Sequence, residues 1–244
     1  MPTDAPAERT TADPVPAERL QADVAALLEV LYDGGVGIVP LDVAYAVLAA
    51  REDGIRRIFA AKQRSYDKPS GMFANAETSA ELHLMPAAHH AMVRELITQV
   101  GRPFSVVAPF REDHPLLRSV DPFVLQSSSK AGTLDMLLNA GQFHDEIAAQ
   151  AMARGRPVFG SSANTSLGGS KYRLAEVDAP VREAADISFD YGRSRYANPE
   201  GRSSSIIDFR DFSVVRVGVC FPELQQAFRD RFGIELKITQ ETAQ

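Results

Sequence analysis

The segment AAKQRSYDKP carries Lys62, Arg64 and Lys68 within seven residues, where an amphipathic helix gives way to a proline-stopped loop. Three cations at a helix exit form either a solvated face or a cradle for phosphate oxygens, and the segment alone favours the solvated face. A second segment, GSSANTSLGG at 160–169, follows the strand-like RPVF and gathers hydroxyls, Asn164 and glycines. Small side chains, donors and exposed backbone N–H groups suit a phosphate or a ribose, and they suit an ordinary Ser/Asn/Gly turn equally well. The run lacks the Gly-Lys-Ser/Thr ending of a P-loop, and the sequence contains no dinucleotide GxGxxG. A third segment, PLDVAYAV at 40–47, leaves an apolar run through Pro40 with one acid, Asp42. That carboxylate reads as the tie of its own turn, and Tyr45 reads as core.

Other chemistry is sparse. His83, His89, His90, His114 and His144 show no metal-ligand spacing with carboxylates or cysteine, so no structural metal is expected. The single cysteine, Cys220, sits in the apolar run VVRVGVCF and reads as a buried inert thiol. One cysteine permits no disulfide framework within the chain and points to a reducing compartment, hence a cytoplasmic location. A formal charge of -6 without long like-charge runs argues against a general nucleic-acid coat while allowing a local basic pocket.

The elements that must position these residues follow from periodicity. The chain has 244 residues, 45% of them hydrophobic, enough to bury a sizeable α/β core. Residues 1–18 are rich in Pro, Ala, Thr and acids without apolar period and read as a disordered arm with no signal peptide. Leu20, Val24, Leu27, Leu28 and Leu31 recur at helical spacing before the stop at Gly34 and Gly35. The VGIVP run reads as a buried strand, and a helix over 53–62 with Asp53 as N-cap follows. Strands are expected at GMFAN, FSVVAPF, FVLQSS, TLDMLLN, PVFGSS, DISFD, SSIIDF and SVVRVG, with helices over 76–83, 87–99, 142–154, 174–184 and 222–231. This alternation describes one α/β domain with a mixed sheet flanked by helices. The domain is expected over 19–220, with the helix and tail of 221–244 packed on it or serving a homodimer contact; core packing is the preferred reading.

In order along the chain, six segments resemble a family. VPLDVAYAV resembles its Pro-Thr-Asp-Thr-Val/Ala-Tyr-Gly signature, IFAAKQRSYDKP its Lys-x-Arg-x-x-x-Lys/Asn-Pro loop, and RPFSVVAP its Pro-Gly-Pro-Leu-Thr strand. GSSANTSLGG resembles its Ser-Ala-Asn-x-Ser-Gly loop, GRSSSIIDF its Pro-Ser-Thr-Val-Val-Asp strand, and VVRVG its Leu-Arg-Pro-Gly ending. The chain is thus similar to the YrdC-like family, best known for L-threonylcarbamoyladenylate synthases, from about residue 19 to 218. The resemblance implies a twisted mixed sheet with a basic concave cavity that joins threonine, bicarbonate and ATP, the last with Mg2+, into threonylcarbamoyl-AMP. It assigns Lys62 and Arg64 to the ATP phosphates and the carboxylated intermediate as the catalytic pair, with Lys68 nearby. It assigns Ser162 and Asn164 to the nucleotide, and Ser204 and Arg216 to the ribose and α-phosphate. A positioned Lys and Arg would stabilise the charge of departing pyrophosphate without accepting a proton.

The departures are concentrated on the amino-acid side. Leu41 and Val43 stand at the two threonines of the signature, Ala46 at its glycine, Leu137 at the arginine of a Val-Arg-x-Pro strand, and Ser70, Gly71, Met72 and Phe73 follow Lys68-Pro69 where the family has an apolar pair and often a histidine. The resemblance thus implies an acceptor pocket of Leu41, Val43, Tyr45, Phe73 and Leu137 that has exchanged hydrogen-bonding groups for carbon, so the acceptor need not be threonine. Arg118 and Lys130, in neighbouring loops, are the candidates to replace the missing cation. Two functions follow: an adenylate-forming enzyme taking bicarbonate or carbamoyl phosphate, or a non-catalytic nucleotide-binding or RNA-binding relative. Expected partners are small-molecule substrates and tRNA-modification components or RNA, including double-stranded RNA, with no membrane; both monomer and homodimer are compatible with the sequence.

Overall fold

The computed structural model describes residues 8–65, 68–166 and 168–238. Helix α1 (Ala17–Tyr32) buries all five leucine and valine positions of its apolar stripe. Strand β1 (Gly37–Val39) then pairs antiparallel with β2 (Ala46–Ala49), Val39 opposite Ala46, so that 40–45 is a hairpin loop. Helix α2 (Glu52–Lys62) ends where Gln63 adopts a left-handed φ of 49°, which turns the chain out as Arg64. Next come β3 (Gly71–Phe73), α3 (Ala76–Leu82) capped by the Asn75 side chain, and α4 (Ala87–Glu95), which runs into a π-helical turn over Leu96–Val100.

The middle of the chain supplies β4 (Phe104–Pro109), α5 (Pro115–Arg118), α6 (Pro122–Ser128), β5 (Ser129–Lys130), β6 (Thr133–Leu138), α7 (Gln142–Ala153) and β7 (Phe159–Ser162). After a 3-10 turn at Leu174–Glu176 come α8 (Ala179–Glu183), β8 (Ile187–Ser188), β9 (Ser205–Asp208), β10 (Ser213–Arg216) and α9 (Phe221–Phe232). The strands form one mixed sheet in the order β10-β9-β4-β6-β3-β7-β2-β1-β8, with β5 paired to β6. Its parallel pairs are β1–β8, β3–β6 and β4–β9.

The two-residue period of the strands divides the core into two layers. On β2, Val47 and Ala49 join the layer of Ile55, Ile58, Phe59, Leu82 and Phe228, whereas Ala46 and Leu48 join the layer of α1 and α7. On β6, Leu134, Met136 and Leu138 enter the first layer, and on β4 Phe104, Val106 and Ala108 do the same. Asp135, Leu137 and Ser105 therefore point to the opposite face, which α1 and α7 cover only in part. That uncovered, concave stretch of sheet is where the candidate site lies.

Several expectations are corrected. FVLQSS forms part of helix α6, not a strand: Pro122 at its first turn presets the helical φ, and a short apolar run reads alike in both states. AVLA of β2, unassigned from sequence, is a fully buried strand. The helix expected over 174–184 is split into the 3-10 turn and α8, with proline in the first turn of α8. Arg51, not Asp53, occupies the N-cap of α2. The disordered arm is overturned for residues 8–18: Thr11 is 4% exposed, its N–H donates to the Arg193 carbonyl at 2.9 Å, and its hydroxyl donates to Asp42 at 2.6 Å. Gln142 fastens the same segment by donating to the carbonyls of Thr11 and Asp13, each at 2.8 Å. Residues 1–7 of that expectation lie outside the described residues. At the other end, α9 buries Leu224, Ala227 and Phe228, and Val214 donates to the Lys237 carbonyl at 2.9 Å, so the segment up to 238 packs on the sheet.

Candidate functional site

A cavity of about 130 Å³ occupies the concave face, walled by the hairpin loop of β1–β2, the exits of β3 and β7, and the strands β4, β6, β9 and β10. Of the residues expected at the site, Leu41, Val43, Tyr45, Arg64, Phe73, Leu137, Ser162, Ser204 and Arg216 line this one cavity, although they come from seven separate stretches of chain. Arg64 is presented by the loop after α2, whose shape it holds by donating to the carbonyls of Lys68 at 2.9 Å and Pro69 at 2.6 Å. Arg216 ends β10 and donates to the Ser204 carbonyl at 2.8 Å and the Ser204 hydroxyl at 3.0 Å. Arg216 keeps contact with solvent, yet the protein around it strips enough hydration to lower its pKa. Arg64 is lowered too, first by desolvation and then by the positive charge of Arg216. Two guanidiniums that repel one another across a shared cavity form a site for an anion.

Three expected residues are not brought onto the wall. Lys62 is 2% exposed, and its ammonium donates to the carbonyl of Ser162 and, at 2.5 Å, to that of Asn164. It fastens the end of α2 to the exit of β7, and burial followed by the charge of Arg64 lowers its pKa to about 7. Asn164 donates to the Thr165 carbonyl at 2.6 Å, and its Oδ1 has no partner among the described residues. Lys68 is exposed and does not line the cavity.

The wall expected to face the acceptor is apolar. Leu41, Val43 and Phe73 are almost fully buried, and the half-buried Leu137 faces them from β6. Tyr45 gives only its ring to the cavity, because its hydroxyl is held 2.8 Å from both Asp190 and the Gly192 carbonyl. Neither Arg118 nor Lys130 lines the cavity, and the Arg118 side chain donates to the Asp113 carbonyl at 3.0 Å. Asp42 faces away from it, tied to Thr11, with its backbone N–H on the Ala140 carbonyl at 2.8 Å. Gly141 belongs to this tie: its φ is 105°, and a Cβ there would stand 2.6 Å from the Asp42 carboxylate.

Sequence reasoning missed Asp135. It lines the cavity from the centre of β6, with the Ser105 hydroxyl beside it, and its Oδ1 is shut off from solvent without a hydrogen-bond partner among the described residues. Burial raises its pKa to about 6, against the opposing influence of Arg216, Ser105 and Arg64. The signal was present in TLDMLLN: alternation that buries Leu134, Met136 and Leu138 places Asp135 beside Leu137 on the face of the site. Among the described residues no cluster of His, Cys, Asp and Glu is arranged to hold a metal, and no helix is long and apolar enough to cross a membrane.

Comparison with known proteins agrees with this architecture. The Sua5/YciO/YrdC family model, described as "Telomere recombination", matches residues 29–218. A search of curated proteins returned no match. Among solved structures, a hypothetical protein, smu.1377c, from Streptococcus mutans UA159 is similar at 17% identity, covering 93% of this chain and 96% of that one with a TM-score of 0.74. Sua5 of P. abyssi, complexed with L-threonine, is similar at 18% identity and a TM-score of 0.70, covering 95% of this chain and 62% of its own. The present chain therefore spans less than two thirds of that Sua5. YciO of E. coli is similar at 17% identity, covering 86% of this chain and 94% of that one with a TM-score of 0.60. At such identities the likeness is one of fold. The family match covers most of the chain, and with the six motifs carried by one sheet and its loops, the protein belongs to the Sua5/YciO/YrdC family.

Proposed function

We propose that the cavity binds ATP and that the protein is an adenylate-forming enzyme of the threonylcarbamoyl-AMP synthase type with a rebuilt acceptor side. The observation that carries this reading is the convergence of Arg64 and Arg216, both partly desolvated, on a cavity that also presents the Ser162 and Ser204 side chains. An adenylating step forms a bond from a carbamate oxygen to the α-phosphorus and breaks the bond to the β-phosphate, releasing pyrophosphate. Guanidiniums in place before the reaction stabilise that developing charge without reorganisation. Arg64 and Arg216 would hold the phosphates, Ser162 and Ser204 the ribose side, and Mg2+ would accompany ATP by neutralising its phosphate charge. The carbamate would come from bicarbonate and an amine with loss of water, or from carbamoyl phosphate by hydrolysis with release of inorganic phosphate.

The acceptor follows from the opposite wall. Leu41, Val43, Phe73 and Leu137 supply no donor to a carboxylate, so a small zwitterion there would lose hydration without matched partners. P. abyssi Sua5 has been seen with L-threonine; for this chain a less polar acceptor fits the wall better. A binding-only reading draws on one observation: the ammonium of Lys62 is engaged by loop carbonyls and does not line the cavity. Incubation with ATP, bicarbonate and a panel of amino acids and amines, with a parallel carbamoyl phosphate arm, separates the two readings. Acceptor-dependent pyrophosphate release supports the enzyme. ATP binding without turnover in any arm supports the binding protein, which would act in RNA or tRNA-modification chemistry, and absence of ATP binding overturns both.

A further inference from the structure

We propose that Asp135 is the protein ligand of a divalent cation, Mg2+, that enters the cavity with the nucleotide phosphates; the inference rests on the nucleotide reading of this cavity. Strand alternation sets Asp135 on the concave face in the middle of the sheet, between β3 and β4. On β3 its neighbour is Gly71, where an added Cβ would stand 3.4 Å from Oδ2, so the glycine leaves that side of the carboxylate uncovered. Oδ1 has no hydrogen-bond partner among the described residues. Arg216 and Arg64 act on its charge through space, yet neither reaches it as a contact ion pair among the described residues. The hydrogen bonds of Arg64 go instead to the carbonyls of Lys68 and Pro69, and those of Arg216 to Ser204.

A carboxylate on the wall of a phosphate site poses an electrostatic problem. Phosphates drawn in by Arg64 and Arg216 would face Asp135 as like charges in a partly dehydrated space, where repulsion is strong. A cation between them turns that repulsion into a bridge. The donors at hand are oxygens: the carboxylate, the hydroxyls of Ser105 and Ser204, which lie 3.4 Å apart, and the phosphates themselves. No histidine or cysteine lines the cavity, so the softer metals lack their ligands. One carboxylate, substrate phosphates and retained waters are the usual surroundings of Mg2+.

Calorimetry of ATP binding with and without Mg2+, on the parent and on Asp135→Asn, tests the proposal. The parent is expected to bind ATP at least tenfold more tightly with Mg2+. Asp135→Asn is expected to bind metal-free ATP as tightly as the parent or better, which also shows that the variant is folded, and to gain less than twofold from the metal. Mn2+ in place of Mg2+ gives a second readout: its electron paramagnetic resonance spectrum in the ATP complex should change between parent and variant. An Asp135→Asn variant that keeps the full metal effect overturns the proposal, as does a parent that binds ATP without regard to metal. A parent that binds no ATP under either condition overturns the nucleotide reading itself.

Discussion

Arg64 makes its protein hydrogen bonds to carbonyls of its own loop and Arg216 to the carbonyl and hydroxyl of Ser204 at the entry to β9, which fixes where each guanidinium points while leaving it without a contact carboxylate among the described residues. Arg64→Ala is expected to weaken ATP binding by about 1–3 kcal/mol, the range of a charge-assisted contact, while leaving the fold intact. Titration calorimetry showing parent-like affinity would remove Arg64 from the site. Asp135 has a different signature. Its pKa of about 6 lies above its ordinary value of 3.8, so its contribution to stability is present at acid pH and is lost as pH rises through about 6. Asp135→Asn should therefore be more stable than the parent near pH 8, by about 1–3 kcal/mol, and the advantage should vanish near pH 4. Denaturation midpoints at the two pH values decide, and equal midpoints near pH 8 would show that the ionised carboxylate is satisfied in the fold.

Among the elements, the β1–β2 hairpin loop is held from behind by a segment that composition alone marks as unstructured. Asp42 accepts the Thr11 hydroxyl and, among the described residues, has only Arg195, at 3.9 Å, as a second polar side-chain partner. Removing residues 1–16 leaves this 7% exposed carboxylate short of a donor. A truncated chain beginning at Ala17 should lose about 2 kcal/mol or more, roughly a 5 °C drop in melting temperature. An unchanged melting curve would show that the segment only rests on the surface. Helix α3 carries a second test. His83 bridges the Ser79 hydroxyl and the Leu134 carbonyl, each at 3.1 Å, and burial lowers its pKa to about 4. Stability from this neutral imidazole is full above about pH 6.5 and declines as pH falls toward 4, by about 2 kcal/mol between pH 7 and 5. In His83→Gln that decline should flatten, as measured by urea midpoints at the two pH values; an unflattened slope assigns it elsewhere.

For the whole molecule, the sheet makes the site by presenting one face to the core and leaving part of the other open. Cations from a loop and an edge strand meet there with an apolar wall from the hairpin, β3 and β6. Threonine should accordingly be a poor acceptor. A missing methylene or hydroxyl match alters rates by about 10–200-fold, and unpaired polar groups by more, so threonine-dependent pyrophosphate release should fall at least that far below release with a less polar amine. Efficient turnover of threonine by the parent would refute the rebuilt wall.

By itself the sequence determined the family, most strands and helices, and the membership of Arg64, Ser162, Ser204 and Arg216 in one site. Its motifs, resembling those of a family in order along the chain, carry that information without any knowledge of contacts. Elsewhere local pattern is ambiguous. FVLQSS is apolar enough for a strand or a buried helix, and the Pro/Ala/Thr composition around Thr11 gives no hint of its tie to Asp42. Only the tertiary structure decided that Lys62 fastens a loop instead of lining the cavity, and that Tyr45 turns its hydroxyl to Asp190. It alone decided that Asp135 stands among the cations. The physical reason is that charge and hydrogen-bond capacity are set by what surrounds a side chain in space, and here the surroundings come from strands and loops remote in sequence.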